Sequence, residues 1–486
     1  MKVVVSKIVV FLLLTTTFIS SCKVGEKYKQ PDLNLPETYR GAISTDLDST
    51  SLTNIVWRDF FKDSVLIALI DSGLTNNFDM RIALRNIEIS NRNLRINKLE
   101  YLPSIDANIG TINKQYRSSD FYASPAAKWY AEKGEAASQS LFTYQSQHST
   151  GLEFSWELDV WGKIANQKDA LKADWLDSQE AKNAIQTKLI ADIAMGYFNL
   201  LKLDAQIEVA KRNVNLNDST LRMIQLQFEA GEITALALQQ TESQRLLAAS
   251  LVPDLEKSIV IQENALRMLI GEMPNGIIRG NTLNDKLVNF DKKISLGTPL
   301  DIIRNRPDIK SAEYDLIKAN ANANIAQLMR YPQLSLSAVF GVNAMLPKNW
   351  FNIPGALLGG VVGELSTPIF KNNKLKNRYE VAKIEREKSE LKFQREVMEA
   401  VVEVSNTITA VDKQEEQLSF AEQRVANSQL AVKNASLLFK SGYATYLEVI
   451  TAQSSALRSE LDLVELKQKQ LNSFVLLYRS LGGGWK

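Results

Sequence analysis

The sequence of 486 residues contains a long internal duplication. The segment FEAGEITAL, which begins at Phe228, returns as FKSGYATYL from Phe439, an offset of 211 residues. Farther upstream, EYLPSIDANIG at 100–110 pairs with RYPQLSLSAVFG at 330–341, and there the two prolines differ by 229 positions. Trp161 follows Pro103 by 58 positions, whereas Phe370, the matching end of the segment, follows Pro332 by only 38, which predicts a loop longer by 20 residues in the first copy. A duplicated unit of this length is typical of quasi-symmetric packing around an axis, as in a ring or barrel.

The first 22 residues have the features of a bacterial lipoprotein signal. Lys2 and Lys7 flank the start of an apolar run, and small residues then lead to Cys22, the only cysteine of the chain. We predict a signal peptide over 1–21 and covalent lipid on Cys22. An ordinary secretory peptide that happens to contain a cysteine is the weaker interpretation. Lys23 in place of aspartate favours the outer membrane, by resemblance to bacterial lipoproteins.

The composition argues against several classes of function. Lysine and arginine total 57 against 55 aspartates and glutamates, so the chain lacks the basic surface that nucleic-acid binding requires. One cysteine and one histidine, His148, which we place in a loop, cannot supply a metal site or a nucleophile–base pair. We therefore predict no enzyme activity, no bound metal and no cofactor other than the lipid on Cys22.

Alternation of apolar and polar residues predicts four membrane strands. In the segment 151–161, apolar side chains alternate with Glu153, Glu157 and Asp159, which predicts one face toward lipid and acidic residues lining a lumen. A strand of a soluble protein could show the same alternation, but three acids on one face favour the membrane strand. Weaker alternation marks three further strands, at 105–111, 334–341 and 356–367. Four strands cannot close a membrane barrel, so we predict that three chains supply twelve.

A sustained seven-residue apolar pattern predicts two long helices. Residues 163–230 contain no proline, and 374–440 repeat the pattern more loosely. At about 1.5 Å per residue each helix would run on the order of 100 Å, a length suited to crossing a periplasm. Each leads through an FxxG turn into a returning helix, and Pro253 is predicted to break the first returning helix. The returning helices are predicted at 236–270 and 447–481, and shorter helices before the strands at 79–98 and 308–328.

Several motifs, in order along the chain, resemble the outer membrane efflux family, which is TolC-like, and specifically its NodT-type lipoprotein branch. They are VGEKYKQP after Cys22, WRDFFKDSVLIALI at 57–70, ELDVWGK at 157–163, VPDLEKSIVIQENALRMLIGEMP at 252–274 and RPDIKSAE at 306–313. The resemblance implies an α+β membrane protein: a homotrimeric outer-membrane β-barrel, four strands per chain, continued by a long periplasmic α-helical barrel. It also implies the exit duct of a tripartite efflux pump, with a periplasmic adaptor protein and an inner-membrane RND transporter as partners.

The same resemblance implies a role for the two hairpin tips, where family members close the tunnel and receive the adaptor. The corresponding residues are Gly231, Glu232, Leu236, Gly442, Tyr443, Leu447 and Glu448. All of them could instead simply cap the hairpins. Glu448 would face the constriction, and three copies would form a carboxylate ring that favours cations and raises the pKa by mutual repulsion. The alternative for Glu448 is a solvated helix-face residue, and the first copy has Ala237 in its place.

These observations predict five segments. They are a signal peptide (1–21), a lipid-anchored connector (22–60), repeat one (61–274), an inter-repeat connector (275–299) and repeat two (300–486), each repeat holding a helix, a strand hairpin and a long helical hairpin. Two alternatives to an efflux duct for small molecules stay open. One is a duct for protein or peptide secretion, and the other is a lipid-anchored periplasmic coiled-coil scaffold without a pore.

Overall fold

The computed structural model describes residues 24–33, 35–40, 55–118, 142–288 and 298–485. The predicted signal peptide and the lipid attachment at Cys22 lie outside the described residues. So does the connection between the first two strands, where the sequence predicts the inserted loop.

Helices make up most of the described chain. In chain order they are α1 (Trp57–Phe60), α2 (Ser64–Asn76), α3 (Phe78–Leu99), α4 (Lys163–Glu229), α5 (Ala235–Leu269), α6 (Pro299–Asn305), α7 (Pro307–Leu328), α8 (Lys374–Lys440) and α9 (Tyr446–Ser480). The long helices α4 and α8 have 67 residues each, and the returning helices α5 and α9 have 35 each. Helix α8 begins 211 residues after α4, and α9 begins 211 residues after α5. None of the described helices is both long enough and apolar enough to cross a membrane.

Helix α4 forms where the apolar pattern is densest. Leu189, Ile193 and Leu200, all predicted for its apolar stripe, are buried. Nearer the tip, polar Asn213, Asn217 and Thr220 are buried along with Ile224, and the predicted stripe residue Phe228 is partly exposed. A strict seven-residue repeat drifts around a straight helix, so the same sequence register faces different neighbours at the two ends.

Helix α5 corrects the prediction at Pro253. The helix runs without interruption from Ala235 to Leu269 with the proline inside it. Proline removes one backbone donor and crowds the preceding turn. Burial of Ala248 before the proline and of Leu266 after it holds both halves of the helix against their neighbours.

The strands form one antiparallel sheet in the order β1–β2–β3–β4. They are β1 (Ser104–Ser118), β2 (Phe142–Leu158), β3 (Gln333–Ala344) and β4 (Leu357–Ser366). Leu152 lies opposite Phe340, and Ala338 lies opposite Val361, so apolar side chains of neighbouring strands share one face. Glu153 lies opposite Val339 and Asp106, on the other face of the sheet. The apolar and polar residues that alternate in the sequence therefore lie on opposite faces of the sheet.

Strand β2 differs from the prediction at both ends. His148, predicted in a loop, lies within the strand and is 6% exposed, with its ring beside that of Trp350 at 5.3 Å. The residues before Gly151 are almost all polar, so the sequence there shows no alternation, although both neighbouring strands pair with it. At the other end the strand stops at Leu158, because the Asp159 carboxylate turns to the first amides of α4.

The described chain divides into two compact units, and each draws residues from both predicted repeats. Of the described residues, the first comprises 24–29, 91–118, 142–173 and 317–387 and holds the sheet. The second comprises 30–33, 35–40, 55–90, 174–288, 298–316 and 388–485 and holds both hairpin tips. Its core includes the fully buried rings of Phe60, Tyr197 and Phe198. The division into repeats at 61–274 and 300–486 stays a prediction.

Candidate functional site at the helical hairpin tips

The first tip is a tight reversal between α4 and α5. Gly231 adopts φ 78°, a left-handed conformation that favours glycine. Its amide donates to the Phe228 carbonyl at 2.9 Å, and the Glu232 amide donates to the Gln227 carbonyl at 2.9 Å. This pair of bonds satisfies the last carbonyls of α4 in the way typical of a glycine-terminated helix. Glu232 and Leu236 are both exposed beyond the turn.

The second tip repeats this geometry between α8 and α9. Gly442 has φ 76°, and its amide donates to the Phe439 carbonyl at 3.1 Å. The Tyr443 amide donates to the Leu438 carbonyl at 2.9 Å. The Tyr443 side chain is 84% exposed, which makes it one of the most exposed aromatic groups in the described chain.

Glu448 caps helix α9. Its carboxylate accepts from the Thr445 amide at 2.9 Å and from the Thr445 hydroxyl, so the two residues form a reciprocal capping box. The Thr445 hydroxyl and the amides of the first helical turn lower the pKa of the Glu448 carboxyl. Ala237, the matching residue of the first tip, is buried and offers no carboxylate to Thr234. The two tips therefore differ in their capping as well as in charge.

The two tips pack side by side. Ile224 from α4, Phe439 from α8 and Val449 from α9 form a buried apolar cluster. The Tyr446 hydroxyl of the second tip donates to Oε1 of Gln240 in the first, at 2.7 Å. The predicted tip residues are thus brought to neighbouring turns, where Leu236, Tyr443 and Leu447 stay exposed.

A layer of buried polar side chains lies next to this cluster, and of these residues only Asn217 was expected on the buried stripe of α4. Gln453 donates from Nε2 to Thr220 Oγ1 at 2.8 Å, and Asn217 donates to both oxygens of Asn213 at 2.8 Å. Gln453 and Asn217 are fully buried, and the side-chain oxygen of each has no hydrogen-bond partner. Asn213 and Thr220 are seven residues apart on α4. That heptad spacing of polar residues was the signal available in the sequence.

The three acids predicted for the lumen have different surroundings. Glu153 is exposed on the polar face of β2. Glu157 pairs with Lys163 at 2.8 Å, and Asp159 accepts from the amides of Ile164 at 3.0 Å and Ala165 at 2.9 Å. Two of the three acids are thus engaged in joining the strand to α4. Within the described ranges, no three His, Cys, Asp or Glu side chains are grouped so as to hold a metal ion.

Comparisons with known proteins agree with this architecture. The chain matches the outer membrane efflux protein family over residues 69–272 and 299–483. It is 28% identical to the solvent efflux pump outer membrane protein SrpC of Pseudomonas putida, with 96% of each chain covered. It is 24% identical to the cation efflux system protein CusC of Escherichia coli K12, covering 96% of this chain and 97% of CusC.

A solved channel has the same fold. The open state of the Neisseria gonorrhoeae outer membrane channel MtrE superposes with a TM-score of 0.81 at 24% identity, covering 96% of this chain and 99% of MtrE. The family match, which includes both long helical hairpins, confirms the resemblance inferred from the motifs. The chain belongs to the outer membrane efflux protein family.

Proposed function

We propose that this chain is the outer membrane duct of a tripartite efflux pump and passes small molecules from the periplasm to the exterior. One observation carries the proposal. The same chain contains two 67-residue helices, which end in tips that pack side by side, and a sheet that has an apolar face. Long helices that form a conduit through the periplasm, continued by strands that cross the outer membrane, would let small molecules pass from the periplasm to the exterior. SrpC and CusC, named for solvent and cation efflux, match over nearly their whole length.

We further propose that the duct is a homotrimer built from two repeats per chain. The sheet has four strands, and its outer strands β1 and β4 present unpaired edges in the single chain. Open edges are not tolerated in lipid, so further copies must supply the missing neighbours. Three copies would give twelve strands around a polar lumen lined by Glu153. The equal lengths of α4 and α8, and of α5 and α9, support a sixfold pseudo-symmetric helical barrel.

An exposed apolar stripe on α8 supports self-association independently. Ile384, Leu391 and Met398 recur every seven residues, and each is more than half exposed in the single chain. A stripe at this spacing is the contact seam of a coiled coil. Neighbouring copies in a helical barrel would cover it.

The exposed tip residues Leu236, Tyr443 and Leu447 would meet the periplasmic adaptor, which links the duct to an inner-membrane RND transporter. Three copies of Glu448 would form an acidic ring at the constriction. We also propose that the lipid on Cys22 anchors the protein in the outer membrane. Replacing Cys22 by alanine should abolish labelling with radioactive palmitate; labelling that persists would contradict the anchor.

The test of the duct is electrical. Purified full-length protein should run as a trimer in mild detergent and conduct ions when inserted into a planar lipid bilayer. A monomer that inserts without conductance would contradict the proposal and favour the scaffold. A deletion strain exposed to solvents, dyes, bile salts and metal salts should become sensitive to at least one class, which would name the substrate. Unchanged tolerance together with loss of a secreted protein would favour the secretion duct.

A further inference from the structure

The two strand hairpins of one chain are joined at a specific aromatic contact. Trp161, which follows β2, donates from Nε1 to the carbonyl of Pro332, just before β3, at 2.6 Å. Its ring lies 5.6 Å from that of Tyr331. The contact stands at the end of the sheet where Leu158 pairs with Leu334 and where the strands lead into the helices. It therefore seals the β2–β3 junction at the helix-proximal end.

The ends of the two outer strands carry matching residues whose side chains are exposed in the single chain. After β4 come Ile369 and Phe370, then Asn372 and Asn373 with left-handed φ of 49° and 58°, and then the start of α8. After β2 come Trp161, then Gly162 with φ 84°, and then the start of α4. Phe370 thus occupies the position of Trp161, between a strand and a left-handed turn. It is 81% exposed, and Ile369 is 94% exposed.

The complementary half of the contact lies before β1. Tyr101, Leu102 and Pro103 precede this strand as Tyr331 and Pro332 precede β3, and Leu102 is 61% exposed. Phe370 cannot reach Leu102 of its own chain through the sheet. The two outer strands are three strand spacings apart, about 14 Å at the usual spacing of 4.8 Å.

We propose that Phe370 of one copy packs on Tyr101 and Leu102 of the next copy, and so reproduces between chains the contact that Trp161 makes within a chain. The inference rests on the proposed trimer, because β4 and β1 of neighbouring copies must pair to bring these residues together. The partner is thus a second copy of this chain.

The faces of the sheet fit this pairing. Within the chain, apolar Leu336 lies opposite Trp156, and apolar Leu334 lies opposite both Leu158 and Leu365. Ile105 of β1, opposite Phe154, lies on the same face. An antiparallel β4–β1 pair between copies therefore continues the apolar face around the ring.

Disulfide crosslinking tests the contact directly. We would combine Phe370→Cys with Leu102→Cys in the full-length protein, oxidise it in outer membranes with copper phenanthroline, and examine it on denaturing gels. We expect covalent dimers and trimers that disappear on reduction, whereas each single variant should stay monomeric on the gel. Trp161→Cys with Tyr331→Cys is the matched control within a chain and should crosslink without changing the chain count.

Leu346 and Leu102 lie at opposite ends of the sheet. The combination of Leu346→Cys with Leu102→Cys should therefore give no crosslink between chains. A chain that is trimeric by native mass spectrometry, but whose residue 370 thiol fails to crosslink and reacts freely with a maleimide, would overturn the contact and leave the trimer intact. A chain that is monomeric would overturn the contact and the proposed duct together. Phe370→Ala should lose the trimer band in mild detergent gels, and Phe370→Trp should retain it; equal bands for both would count against the contact.

Discussion

At the scale of single residues, the two hairpin tips use glycine in the same way but differ in their acidic residue. A Cβ added at Gly231 or Gly442 would meet no atom within 4 Å, so only the backbone conformation requires glycine there. Glu448, in contrast, is held by Thr445, and its counterpart is Ala237. The second tip thus has a chemical feature that the first lacks.

Substitutions at Glu448 separate the cap from the proposed gate ring. Glutamine keeps much of the capping box but removes the charge, whereas alanine removes both. If the ring acts on ions, Glu448→Gln should lower the cation-to-anion permeability ratio in bilayer recordings. Glu448→Ala should in addition speed amide hydrogen exchange in the first turn of α9. A permeability ratio that only the alanine variant changes would mean that Glu448 acts as a cap alone.

A second residue-scale feature is an ion-pair cluster around Arg306. Its guanidinium pairs with Asp308 at 2.6 Å and with Glu403 at 2.7 Å, and Arg479 also pairs with Glu403 at 2.6 Å. Burial disfavours ionisation of both carboxyls, but the arginine charges and hydrogen bonds outweigh it and lower the pKa of Asp308 and of Glu403.

The cluster predicts a loss of stability in acid. A carboxyl with a lowered pKa stabilises the fold above its unfolded pKa, near 4, and loses this contribution as the pH falls through the folded pKa. Glu403→Gln should cost about 2 kcal/mol at pH 7, since it leaves two arginines short of a partner. The cost should shrink toward pH 3, in melting curves recorded across pH.

The matched control for the cluster is Glu416→Gln. It breaks a pair with Lys413 on the same helix in which both side chains are more than half exposed. Exposed pairs contribute little, so the melting temperature should hardly move. Equal effects of the two substitutions, or a cost for Glu403→Gln that does not vary with pH, would contradict the assignment.

At the scale of elements, the returning helices α5 and α9 have the same length but different interiors. Pro253 lies inside α5, and Val464 stands at the matching position of α9. Proline inside a helix costs about 3 kcal/mol relative to alanine. We therefore expect this cost in only one of the two hairpins.

Exchanging these residues tests that difference. Pro253→Ala should slow hydrogen exchange of the neighbouring amides in α5, because the missing backbone bond is restored. Val464→Pro should speed exchange in α9 by a comparable factor. If Pro253→Ala instead speeds exchange, the proline is favoured by its tertiary contacts and the helix is not strained by it.

At the scale of the whole molecule, self-association is expected to depend on the apolar stripe of α8. Leu391 is 67% exposed in the single chain, so a charge there is tolerated by the monomer but not in a covered seam. Leu391→Glu should shift the protein from trimer to monomer in light scattering while its helix content stays unchanged. Lys392→Glu, one residue away and off the stripe, should leave the trimer intact. A trimeric Leu391→Glu variant would show that this stripe is not between copies.

The sequence by itself determined most of the architecture, because the repeated patterns are long and regular. It predicted the bounds of α8 to the residue and those of α4 to within one residue. A helix of 67 residues needs a sustained pattern, and such a pattern is hard to mistake. It also predicted all four strands and the family. His148 and Pro253 were misread because polar strand residues carry no periodicity and because proline preference is a local signal.

Only the tertiary structure decided which side chains meet. Contacts between residues more than 200 positions apart, such as Tyr446 with Gln240 or Gln453 with Thr220, depend on how the helices pack. The caps made by Asp159 and Glu448 are instead local, because an unpaired amide at a helix start takes a carboxylate only a few residues away along the chain. Periodicity along the chain records which face of an element is apolar, whereas the partner of that face is set by three-dimensional packing alone.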